Sequence, residues 1–93
     1  MVVGLCSIDL HLPGNDSLKG KRHVLRRIKE RVKNHFNVSI AEVEDLDTLQ
    51  RAGLGVAVVS NDASHVHSTL SKVVHFIEQM YVAEILDYRI EVW

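Results

Sequence analysis

The sequence predicts an α+β domain in which a four-stranded antiparallel sheet carries two helices on one of its faces. Three observations carry that prediction. Both ends of the chain alternate apolar and polar residues with period two, as half-buried strands do. One internal stretch, LGVAVV at 54–59, is apolar on both sides, as a central strand is. Two further segments repeat apolar residues at spacings of three and four, the signature of helices with one buried face.

Each element follows in turn. Over residues 2–12, Cys6, Ile8, Leu10 and Leu12 share one side and Ser7, Asp9 and His11 the other, which makes a half-buried strand. PGNDS (13–17) is a loop ending in Ser17, a plausible N-cap. From Leu18 to about Asn34 the apolar positions Leu18, Leu25, Ile28 and Val32 form a helical stripe. FNVSIAEVE (36–44) holds Phe36, Val38 and Ile40 at period two and then switches phase to Ala41 and Val43, which predicts a strand with a bulge. DLDTLQR connects it to the central strand. SND offers caps for a second helix, whose buried face is Val66, Leu70, Val73, Ile77 and Met80. In ILDYRIEVW, Leu86, Tyr88, Ile90 and Val92 alternate with charges that suit a sheet edge. The order strand, helix, strand, strand, helix, strand is the ferredoxin-like split βαβ plan, βαββαβ. In that plan the second sheet face stays open.

Ninety-three residues make one domain, 1–93, with no room for a second core. At 46% hydrophobic and 25% charged residues, the composition is that of a folded chain rather than a disordered one. No apolar run approaches the roughly 20 residues of a membrane span. MVVGLCSIDLHL lacks the positive region and cleavage site of a signal peptide. Cys6 is the only cysteine, so an internal disulfide is impossible and a cytoplasmic location is expected.

The chain resembles the YlxP-like family of small bacterial domains of unknown function. The resemblance is carried by LHLPGNDSLKGKRHVLRRIKERVKNHFNVSIAEVE and by QRAGLGVAVVSND, and it covers nearly the whole sequence. It implies the ferredoxin-like fold. The family's genes tend to lie among translation and ribosome-maturation genes, which implies an RNA-related role; no activity is established for it. Two positions depart from the family pattern. Gly20 stands where an acidic residue is usual and would complete a capping box with Ser17, and Leu49 stands where an aromatic is common.

Charge is strongly partitioned. Residues 17–35, SLKGKRHVLRRIKERVKNH, hold eight Lys or Arg and one acid, while the whole chain carries a formal charge of −1. Lys19, Arg22, Arg26, Lys29 and Lys33 step by three and four and form one stripe beside the buried face, while Arg27 and Arg31 lie on another flank. Neighbours on such a stripe are about 5–6 Å apart, comparable with successive phosphates on a strand. Ordinary solvated helix faces mix signs; here only Glu30 interrupts. Glu44, Asp45 and Asp47 are expected to neutralise Lys19, Lys21 or Arg22, leaving the C-terminal half as the more exposed positive patch. Glu42 and Glu44 are expected to contribute nothing to binding. RNA or a ribosomal particle is the expected partner.

Other chemistries find little support. The two central strands carry no aromatic residue, which excludes base stacking in the manner of RRM domains, and no GxxG clamp is present. An acylphosphatase-like hydrolase would share the length and fold, but no Arg-bearing glycine-rich loop follows the first strand. The six histidines show no metal-ligand spacing. Asp9 and His11 share the open face without a nucleophile, so no catalytic residue, metal or cofactor is assigned. The apolar side chains Val3, Leu5, Ala57 and Val59 on the open face predict a partner, most simply a homodimer. The expected function is therefore a non-enzymatic RNA- or ribosome-associated domain, with a protein–protein or regulatory dimer module as the alternative. A membrane role is not expected.

Overall fold

The computed structural model describes all 93 residues. Its elements are β1 (Val2–His11), α1 (Leu18–His35), β2 (Ser39–Glu44), β3 (Arg51–Ser60), α2 (Ala63–Met80) and β4 (Glu84–Val92). They form one antiparallel sheet of order β2-β3-β1-β4, so the ferredoxin-like plan holds and β1 and β3 are the central strands.

One core fills the space between sheet and helices. Its strand side is Cys6, Ile8, Leu10, Ala52, Leu54, Val56 and Val58; α2 contributes Val66, Leu70, Val73, Val74 and Ile77. Both helices begin on the capping signals read from the sequence. The Ser17 hydroxyl accepts from the Gly20 amide at 3.0 Å, and the Asp62 carboxylate accepts from the Ser64 amide at 2.9 Å. Gly20 has a specific task. A Cβ there would sit 2.6 Å from the Asn15 side-chain oxygen. The Asn15 amide, held in that space, donates to the carbonyls of Ser17 and Leu49 at 2.8 and 2.6 Å. The missing capping-box acid is thus replaced by a tie between the start of α1 and the 45–50 turn.

Both edge strands carry bulges. In β2 a bulge is present as expected, but the register slips between Glu42 and Glu44 and not at the phase switch from Ile40 to Ala41, where the ladder is regular. Glu42 points to the helix layer, where it meets Lys21. Val43 and Glu44 cover Gly55 and Gly53 on the sheet; a Cβ at Gly53 would come within 2.5 Å of the Glu44 Cβ. In β4 the slip falls at Leu86 and was not expected. Ile85, not Leu86, is thereby placed opposite Leu10, while Tyr88 and Ile90 stand opposite Ile8 and Cys6. The unbroken alternation of ILDYRIEV gives no sign of it.

Candidate nucleic-acid interface on helix α1

The buried row of α1 is Lys21, Leu25, Ile28 and Val32, stepping by four, three and four. Leu18, the expected first member of this row, is only half-buried; the first full member is a lysine. Lys21 is 1% exposed. Its ammonium donates to the carbonyl oxygens of Asp45 and Thr48 at 2.6 and 2.7 Å. It also lies 2.9 Å from Glu42 Oε2, outside hydrogen-bond geometry but as a close charge pair.

This arrangement corrects the expected neutralisation. The acidic hairpin reaches one cation of α1, and it does so through Glu42 and two backbone carbonyls. Glu44, Asp45 and Asp47 make no ion pair with Lys19, Lys21 or Arg22. Nor is Glu42 a spare surface acid, because it compensates the buried ammonium. The N-terminal half of the stripe is consequently as unpaired as the C-terminal half.

Lys19, Arg22, Arg26 and Lys33 are exposed and Lys29 is half-buried. None of the five has a carboxylate within ion-pair distance. Lys19, Arg22 and Arg26 gather with His23 around a hollow of about 190 Å³ whose wall contains no carboxylate and no apolar residue. His23 was missed by the sequence reading, since neutral histidine adds nothing to a charge count. Arg31 and His35 lie on the flank that meets α2, where both approach Phe76.

The open sheet face offers different material. Leu5, Ser7, Ser39, Ala41, Val43, Gly55 and Ala57 line a shallow, largely apolar trough of about 300 Å³. Asp9 stands opposite Asp87 and Gly53, while His11 meets Glu84, with Nδ1 3.2 Å from Oε2. His11 is therefore engaged with Glu84 and not with Asp9, whose carboxylate makes no ion pair. No group of three His, Cys, Asp or Glu converges as metal ligands do. Burial pushes the Cys6 thiol up to about 11, far from a reactive thiolate at neutral pH. No helix is long and apolar enough to cross a membrane.

Comparison with known proteins gives a consistent picture. Residues 3–90 match the model of a protein family of unknown function, DUF503. The uncharacterized protein YlxP of Bacillus subtilis (strain 168) is 40% identical over 77 residues, spanning 83% of this chain and 84% of that one. Among solved structures, a de novo designed protein with a ferredoxin fold superposes with a TM-score of 0.56 at 13% identity, over 100% of this chain and 83% of the other. Protein YJCS gives 0.54 at 9% identity, over 96% of each chain. A chlorite dismutase candidate, TA0507, gives 0.54 at 10% identity; the match takes in 99% of this chain but 44% of that one. At these identities the structural likeness speaks for the fold alone.

Proposed function

The chain belongs to the DUF503 family of unknown function, and we propose that it is a non-enzymatic, cytoplasmic domain that binds the phosphate backbone of RNA, free or in a ribosomal particle, through α1. One observation carries the proposal. Of the eight Lys and Arg residues in α1, only Lys21 has a carboxylate partner. The other seven repel one another at spacings of one helical turn. A row of phosphates relieves that repulsion and releases its own counterions in doing so. Duplex geometry is not required, because phosphate contacts position a strand without reading it.

The non-enzymatic reading rests on how the open-face side chains are used. Glu84 engages His11, and Asp9 is not paired with it, so the open face holds no Asp–His dyad to activate a hydroxyl. A second reading concerns assembly: the trough and the exposed Leu5, Val43 and Val59 place a hollow and projecting apolar groups on one face, as a self-complementary homodimer interface requires.

The test of RNA binding replaces Arg26, Lys29 and Lys33 by Ala and measures affinity across a salt series. Each lost phosphate contact lowers the salt slope by about 0.7 to 0.9, so the triple variant should lose roughly two units of slope, with affinity falling alike across sequences. An unchanged slope in a protein with intact circular dichroism returns the stripe to an ordinary solvated face. Retention by an acidic protein in place of RNA would favour the protein–protein module.

A further inference from the structure

The exposed side of α1 ends in an aromatic cluster. His23, Arg27, Arg31 and His35 follow one another at intervals of four residues, so they form a single row along the helix. At its end the His35 ring lies 4.6 Å from the Phe76 ring, tilted by 43°. Phe36 meets Phe76 edge-on at 5.6 Å, and the Arg31 guanidinium sits 6.0 Å from the centre of the Phe76 ring. Arg31 and His35 are exposed, and Phe36 and Phe76 are half-buried. His35 Nδ1 lies 3.0 Å from the Arg31 carbonyl oxygen. Because a carbonyl oxygen only accepts, that contact requires the proton on Nδ1. Neither Arg27 nor Arg31 has an acidic partner.

We infer that this cluster is a stacking platform for an unpaired nucleobase, with Arg27 and Arg31 holding the flanking phosphates. The inference rests on the nucleic-acid reading of α1 and narrows it to single strands. A paired base in a duplex hides both of its faces, whereas an unpaired one can lie on an aromatic ring or a guanidinium plane. Such stacking tolerates any base, because every base has a π-face. The central strands, bare of aromatics, are not involved; the platform sits where α1 and α2 meet.

The experiment uses the full chain with three labelled probes of equal length: oligouridylate, oligothymidylate and an RNA duplex. Phe76→Leu keeps an apolar side chain against Phe36 while removing the ring. Loss of one stacked base lowers affinity by about 5- to 150-fold, and Phe76→Leu should fall in the lower part of that range for the single strands. Duplex affinity and the salt slope should not move. His35→Ala, at an exposed position, provides a second variant should Phe76→Leu fold poorly, and it should act in the same direction. Dependence on Phe76 with both single strands supports a site that reads base and phosphate; dependence with oligouridylate alone supports the same site and assigns it to RNA. Single-strand affinity unchanged in both variants, or lost equally for the duplex, overturns the inference. The two proposals fail separately. If the triple-Ala stripe variant loses binding while Phe76→Leu and His35→Ala do not, stacking is overturned and the stripe stands; the reverse result leaves stacking and removes the stripe.

Discussion

Lys21 is the residue on which α1 and the 45–48 turn depend together. A buried ammonium is stable only with its charge compensated and its protons donated, and Glu42 with the carbonyls of Asp45 and Thr48 does both. Replacing one partner of a buried pair strands the other, at about 3–5 kcal/mol. Glu42 keeps some solvent contact, with 18% of its side chain exposed, so Lys21→Met should cost about 3 kcal/mol, at the lower end. Adding Glu42→Leu removes the stranded carboxylate, and the double variant should be more stable than Lys21→Met alone. Urea denaturation of the two single variants and the double variant measures this coupling. Simple additivity of the two losses would show that the pair is not a unit. The position was legible in part: the spacing of Lys21 from Leu25, Ile28 and Val32 puts it on the inward side of the helix. Its charge made it read as surface, because the carbonyls that satisfy it lie more than twenty residues away in sequence.

At the scale of elements, local signals were legible and tertiary ones were not. Ser17, the 54–59 run and the α2 stripe act within a few residues, so sequence spacing reveals them. The change of phase from Ile40 to Ala41 marks a regular ladder with Ala41 and Val43 on the open face, the β2 bulge falling later at Val43, and the β4 bulge at Leu86 leaves the alternation intact. The meeting of His35 and Phe36 with Phe76 joins two helices and has no local trace. The end of α2 provides the prediction at this scale. Tyr81 caps the helix in the left-handed region, at φ 55° and ψ 28°, where residues other than glycine incur roughly 1–2 kcal/mol. The residue is 81% exposed, and the one hydrogen bond of its side chain, to Gln79, is a long 3.5 Å. Tyr81→Gly should therefore stabilise the protein by up to about 1 kcal/mol, the unfolded chain's extra freedom offsetting the rest. That corresponds to roughly 4–8 °C in the melting temperature of a domain this size. Tyr81→Ala keeps the strained backbone and should show no such gain; equal melting temperatures for the two variants would mean the cap is not strained.

For the whole molecule, the two faces of the sheet allow binding and assembly to coexist. Both helices lie on one side, so a dimer formed through the open face turns both copies of α1 outward. Strands of ten, six, ten and nine residues, about 4.8 Å apart and about 3.3 Å per residue, give a face of roughly 550 Å² before side chains add relief. That is below the roughly 800 Å² per partner of a standard interface. The apolar half, with Leu5 at 43%, Val43 at 56% and Val59 at 61% exposure, adjoins a charged half carrying Asp9, Asp87, Arg89 and Glu91. Apolar area of this extent suits a moderate, concentration-dependent association rather than an obligate one. Sedimentation at micromolar concentration should therefore show a dimer of about 21 kDa, twice the 10.5 kDa of the chain. Val59→Glu places a charge at the exposed edge of the patch and should return the protein to its single-chain mass with unchanged circular dichroism. Because a dimer presents two basic helices, the same variant should weaken binding to an RNA long enough to reach both helices while sparing a short one. A wild-type protein that sediments only as a 10.5 kDa species would remove both the dimer and that length dependence, and leave α1 as a single-copy contact.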